Sequence, residues 1–226
     1  MAALELEGIE KRYKGKTVLR GASMAAEAGS CVGVLGRNGS GKSTLLNILA
    51  GVLAPDGGRF LWRGEDLLAA PRARRKAVGY VPQGTPLFEE LTALDNLKLW
   101  YDRKSLEREL SEGGVLKLLD VDAFLRVRVS KLSGGMKKRL SIGCAMASRP
   151  EILLLDEAST ALDLPCKAEL MDYLKGLRAA GTTLLMATHD LQEAAECDRL
   201  YLLSDGRLSE CAFDGDPGRL MEYFKK

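Results

Sequence analysis

No apolar run in the chain approaches the roughly 20 residues needed to cross a bilayer, so a membrane role would have to run through another chain. The N-terminal stretch from Met1 to Ile9 alternates apolar and acidic residues and lacks the basic region of a signal peptide. There is a single histidine, His189. No CxxC pair occurs among the five cysteines, Cys31, Cys144, Cys166, Cys197 and Cys211. Their odd number and scattered spacing are expected of reduced, mostly core thiols in a cytosolic protein rather than of a disulfide framework. Neither sign of charge dominates, with 33 Lys plus Arg against 31 Asp plus Glu. That balance argues against a surface devoted to nucleic acid and leaves room for one local anion site. Internal repeats and low-complexity segments are also lacking.

The 226 residues are 46% hydrophobic, an ordinary globular share. The first third reads as strand-rich: Leu4, Leu6 and Gly8 alternate with Glu5, Glu7 and Glu10, and short strands are expected near Arg59–Trp62 and Val78–Val81. Cys31–Leu35 and Ile152–Leu155 are short apolar runs that suit central strands buried on both faces. From about residue 92 to 149 helical spacing takes over, as in Leu116, Leu119 and Phe124 and then Met136, Leu140 and Cys144, with Pro150 expected to stop the last helix. Pro165 opens another helix ending near Gly181, and Thr183–Ala187 is the next strand. Asp190 with Glu193 reads as a capping box, and Ser204-Asp205-Gly206-Arg207 as a hairpin turn. Strands alternating with helices predict an α/β fold with a mostly parallel sheet, an N-terminal antiparallel portion and ligand sites at strand C-termini. The expectation is one domain over residues 1–226, with an inserted helical lobe at about residues 92–149.

Gly36-Arg37-Asn38-Gly39-Ser40-Gly41-Lys42-Ser43 fits GxxxxGK[ST] between a buried strand and a helical run that begins at Thr44. The glycines let backbone N–H groups turn inward around phosphate oxygens. Lys42 adds a charge where the β- and γ-phosphates lie, and Ser43 offers a hydroxyl to Mg²⁺. Gly15-Lys16-Thr17 has the same ending, but Glu10 stands where the first glycine is required, and it reads as a turn. Asp156 and Glu157 end the second buried run. Neighbours on a strand point to opposite sides, so Asp156 is expected to hold Mg²⁺ and Glu157 to polarise the attacking water, without direct repulsion between them. His189 follows another strand, at the same sheet edge, where it faces the γ-phosphate. In Leu132-Ser133-Gly134-Gly135-Met136, Ser133 reads as a helix N-cap with exposed N–H groups behind it, a second anion site.

With these motifs in this order the chain resembles the ATP-binding cassette (ABC) family from about Leu4 to Ser209. Gly36–Thr44 is similar to its Walker A loop, Leu132–Met136 to its LSGGQ signature with Met136 for Gln, and Asp156 and Glu157 to Walker B and the catalytic glutamate. The resemblance implies that Gln83 is the Q-loop glutamine, which senses Mg²⁺ and faces the membrane partner, that Ala161-Leu162-Asp163 is the D-loop, and that His189 is the switch histidine. It implies that Tyr13 stacks on adenine; the plain alternatives are a strand aromatic for Tyr13 and a loop residue for Gln83. Ala158 stands where proline is usual. The implied protein is an ATPase with ATP and Mg²⁺ as cofactors, working as a homodimer or as a heterodimer with another such subunit. It would sit at the inner face of the cell membrane, peripheral and cytoplasmic, through separate transmembrane permease subunits, with no nucleic acid as partner. LSGGM with its basic run and the short chain look like exporter subunits of the ABC-2 type, with an importer subunit still open. A soluble cassette acting on nucleic acid or ribosomes is the alternative. Against it stand the ninety residues between Lys42 and Ser133, which show neither heptads nor metal spacing. A P-loop GTPase would need NKxD, which is absent.

Overall fold

The computed structural model describes residues 3–160 and 162–211. In chain order its elements are β1 (Leu4–Tyr13), β2 (Lys16–Ala26), β3 (Cys31–Leu35), α1 (Lys42–Ala50), β4 (Gly57–Trp62), β5 (Glu65–Asp66), α2 (Pro71–Ala77) and β6 (Val78–Val81). Then follow α3 (Ala93–Lys98), α4 (Arg103–Leu110), α5 (Val115–Leu118), α6 (Gly134–Ala145), β7 (Ile152–Asp156), α7 (Leu164–Ala179), β8 (Thr183–Thr188), α8 (Leu191–Ala195), β9 (Arg199–Ser204) and β10 (Arg207–Cys211). Two short 3₁₀ turns, Val121–Phe124 and Val129–Lys131, lie between α5 and α6.

Two sheets form. One has the order β2-β1-β4-β5 and is antiparallel throughout; the other has the order β10-β9-β3-β8-β7-β6, with β9, β3, β8, β7 and β6 parallel and β10 antiparallel at the edge. The continuous apolar runs are explained by two main cores, one on each face of the larger sheet, with Leu35 in a smaller cluster beside Ala194 and Leu200. Val32, Val34, Ile152, Leu154 and Leu185 face α1 and the antiparallel sheet. Cys31, Leu153, Leu155, Leu184 and Met186 face α7 and the helices α3 to α6. The alternation of a strand thus assigns every second side chain to a different core. All five cysteines are free thiols; Cys31, Cys144 and Cys211 are buried and Cys166 and Cys197 half-buried.

Several boundaries differ from the sequence reading. The helix α6 ends at Ala145, and a turn follows it, so that Arg149, in a left-handed conformation with φ 51°, rather than the helix leads into Pro150. The long strand β2 has no clean alternation, since β1 and β2 shift register three times, and it is not marked in the sequence. Asp190 does cap α8, its Oδ1 accepting from Gln192 N at 2.8 Å. The reciprocal half of a capping box is not made, because the N–H of Asp190 donates to Thr188 Oγ1 at 2.9 Å and Glu193 Oε1 has no hydrogen-bond partner. The turn at Asp205-Gly206 does form, with φ 49° and 76°, the positive pair that a two-residue hairpin needs. Lys14 and Gly15 make the same kind of turn between β1 and β2, so the Gly15-Lys16-Thr17 ending is a hairpin.

Candidate functional site

The parallel order of the larger sheet brings the C-terminal ends of β3, β7 and β8 to one edge, and the loops there enclose a cleft of about 340 Å³. Asn38, Gly39, Gly41, Lys42, Ser43, Thr44, Gln83 and Glu157 line it, together with Val18 from the antiparallel sheet. The loop from Gly36 to Gly41 wraps over the start of α1, whose free N–H groups and dipole point into the cleft. Gly41, with φ 109°, is where a side chain is excluded: a Cβ there would stand 2.9 Å from Val18 Cγ1. At Gly36 a Cβ would stand 2.5 Å from Ser40 Oγ, a hydroxyl that is buried without a partner of its own. Lys42 is buried and its Nζ donates to Gly36 O at 2.9 Å and Arg37 O at 3.4 Å, so its charge is held at the mouth of the loop.

Glu157 is the meeting point of the site. Gln83 Nε2 donates to its Oε2 at 2.9 Å, while Lys42 Nζ and His189 Nδ1 stand 3.5 and 3.4 Å from its Oε1. The backbone explains how. The strand β7 ends at Asp156, and Glu157 turns out of it at φ 47°, its N–H donating to Ala187 O at 2.9 Å. A left-handed glutamate is a strained residue of the kind found at functional sites. The two carboxylates are therefore not separated by strand alternation as expected from sequence: the charge of Glu157 is felt at Asp156.

Asp156 is buried, and burial is the main cause that raises its carboxyl above the ordinary range; the Ser43 hydroxyl opposes this, Glu157 adds to it, and Tyr80 and Lys42 oppose it. Tyr80 OH donates to Asp156 Oδ2 at 3.4 Å, and burial followed by that carboxylate raises the phenol. The other oxygen, Asp156 Oδ1, is buried with no partner. One orphaned carboxylate oxygen beside a hydroxyl fits Mg²⁺, which takes few protein ligands and leaves the rest to water and phosphate. Among the described residues no cluster of three His, Cys, Asp or Glu suits a metal ion held by protein alone.

Ser133 and Gly134 lie outside this cleft, exposed at the start of α6. Ser133 Oγ accepts from Met136 N at 3.2 Å, the expected N-cap. Asp163 caps α7, its Oδ1 accepting from Cys166 N at 3.0 Å; Leu162 reaches the start of α6, 3.5 Å from where a Cβ on Gly134 would stand; Ala161 lies outside the described residues. Tyr13 is 42% exposed at the tip of β1 and does not line the cleft; Lys11 Nζ lies 5.7 Å from its ring. Val18 and Tyr80 join the site without a motif that marks them in the sequence. Tyr80 stands across from Leu154 in the β6–β7 register, two residues before Asp156 and so on the same face as it. Val18 had no local signal.

Residues 19–160 match the family described as ABC transporter. The Nod factor export ATP-binding protein I of Rhizobium sp. (strain N33) is 36% identical over 225 residues, 97% of this chain and 73% of that protein. Its counterpart in Burkholderia orbicola (strain AU 1054) is 35% identical over 226 residues, 98% of this chain and 73% of that protein. A dimeric bacterial ABC transporter cassette superposes with a TM-score of 0.79 at 28% identity, over 91% of this chain and 96% of that one. A dimeric post-hydrolysis cassette bound to ADP and Pi gives 0.76 at 28% identity, over 93% and 100%. With a glycine-rich loop, a pair of carboxylates at a strand end and a capped glycine-rich helix start in this order, and with relatives matched along nearly its whole length, the chain belongs to the ATP-binding cassette family and is an ATP-binding, ATP-hydrolysing subunit of an ABC transporter.

Proposed function

We propose that the chain is the motor of an exporter, that two cassettes share each ATP between them, and that the phosphate-binding work is divided as follows. The Gly36–Thr44 loop and the N-terminus of α1 bind the phosphates, with Asn38, Gly39, Ser40 and Gly41 shaping the backbone and Lys42 supplying the charge. A bound magnesium ion, for which Ser43, Asp156 and Gln83 are the candidate ligands, would neutralise charge on the phosphates. Glu157 takes the proton of the attacking water. Gln83 and Lys42 hold its two oxygens, and His189 is placed beside it to reach the γ-phosphate. Tyr13 offers an exposed ring to the adenine, which needs only a π-face.

The observation that carries this reading is the division of the anion sites. One cleft holds the cradle and the base, while Ser133, Gly134 and Gly135 build a second anion-binding helix start that the cleft does not include. A two-fold pair would set the Ser133 helix of one copy against the phosphates held by the other, and cassettes of this fold are known as dimers. Export is supported by the relatives, whose names describe export ATP-binding proteins; the alternative of a cassette acting on nucleic acid or ribosomes finds no support there. No helix among the described residues is long and apolar enough to cross a membrane. By analogy with those relatives, attachment is assigned to permease subunits, with the exposed Phe88 and Trp100 as the contact; Asn96 on α3 holds the Phe88 backbone, accepting from its N–H at 2.9 Å and donating to its carbonyl at 3.1 Å. Glu157→Gln is expected to retain ATP binding and to slow hydrolysis about 10²–10⁴-fold; near-normal turnover would remove Glu157 from the role of base.

A further inference from the structure

In the basic run after the signature, Lys137, Lys138 and Arg139 look alike in sequence and differ in structure. Lys137 reaches the surface and pairs with Glu89 at 2.7 Å. Arg139 stacks near Phe124 and Tyr173. Lys138 is 3% exposed, and its Nζ donates to Pro82 O at 3.3 Å and Gln83 O at 3.4 Å. A buried ammonium without partners is very costly, and this one meets two carbonyls of the loop that follows β6. Burial lowers its pKa, while the negative charges of Asp156 and Glu193 favour the protonated form. A buried charge is a poor device for stability, since an apolar residue of the same volume often does as well. Its position has a different consequence. The residue whose carbonyl it holds is Gln83, and the Gln83 amide is the donor on Glu157 Oε2.

We propose that Lys138 is a positioning residue for Gln83: from inside the signature helix its ammonium fixes the Pro82–Gln83 backbone, so that the Gln83 amide meets the base. The proposal rests on the roles given above to Gln83 and Glu157. It adds a link between the two ends of one copy. The helix α6 starts at the Ser133 and Gly134 offered to the partner's nucleotide, and one turn later the same helix holds the loop that sets this copy's own base. Occupation of the partner's site would then be felt at Glu157 through a single side chain.

The test is a double-mutant cycle on ATP turnover by the full chain, with Lys138→Met, Gln83→Ala and the pair. Lys138→Met is expected to lower kcat about 10–100-fold, the scale of a misplaced catalytic group, and to change KM for ATP by a smaller factor, because the cradle that binds the phosphates is left intact. In the Gln83→Ala background the same substitution is expected to add little. If the Met variant does not fold, Lys138→Gln replaces it in the same cycle and is judged by the same non-additivity. Losses that multiply across the cycle, or a Lys138 variant with wild-type kcat, overturn the proposal. A Gln83→Ala enzyme with full activity instead overturns the role of Gln83 itself, so the two failures are told apart by the single Gln83 variant.

Discussion

Asp156 shows how the site trades stability for chemistry at the level of one side chain. Burial raises its carboxyl, the Glu157 charge pushes the same way, and Ser43, Tyr80 and Lys42 do not fully offset them. A carboxyl whose folded pKa lies above its unfolded value binds protons more tightly in the folded state. Its ionisation therefore destabilises the fold at neutral pH, and that penalty shrinks as pH falls through the folded pKa and vanishes below the unfolded one. Asp156→Asn should melt at a higher temperature than the parent at neutral pH, with the gain disappearing in acid, while ATP turnover is lost. A lower melting temperature at neutral pH would mean that the unpaired Oδ1 is better solvated than its burial indicates.

At the scale of elements, α6 is the informative one. Ser133 Oγ already accepts from Met136 N, and a hydroxyl that accepts still has its own proton to donate. Ser133→Ala should therefore lose two separate things. The cap costs about 0.5–2 kcal/mol, readable in a denaturant titration. The lost donor should reduce ATP turnover about 10²–10³-fold, the scale of a single preorganised donor to developing charge; a variant that loses stability alone would leave Ser133 as a cap only. The elements also show what the sequence could and could not disclose. The loop from Gly36 to Ser43 and the Asp156-Glu157 pair were legible because cradle, helix start and strand end are continuous in the chain. The direction of Glu157 was not, because it depends on a left-handed turn tied to Ala187 on β8. Val18 closing over Gly41 depends on how two sheets pack, and Lys138 under Gln83 on how α6 crosses the end of β6. Such contacts come from register and packing, and no local pattern encodes them.

At the scale of the whole molecule, the cleft edge is assigned by proposal to nucleotide and the exposed aromatics on either side of α3 to the permease. Phe88 is 61% and Trp100 65% exposed, although both belong to the type of side chain that usually seeks cover. Replacing both with Glu should release the chain from membranes that hold its permease, and leave turnover by the isolated chain unchanged, because neither side chain lines the cleft. Persistent membrane association of that variant would place the contact elsewhere.

The division of each active site between two copies is tested most directly by mixing two inactive variants. Lys42→Ala removes the charge from the cradle. In the signature, Gly134 is a better target than Gly135, since a Cβ on Gly135 would stand 3.1 Å from Cys166 Sγ and one on Gly134 would meet only Leu162 at 3.5 Å. Gly134→Asp therefore places a carboxylate at the exposed helix start with little strain on its own copy. In a mixed pair one site carries both defects and the other carries neither. If the sites are shared and each can fire alone, the two dead proteins regain activity on mixing, up to about a quarter of the parent rate for random pairing of equal amounts. If Gly134→Asp is fully active by itself, each copy hydrolyses ATP within its own cleft and the shared site does not exist.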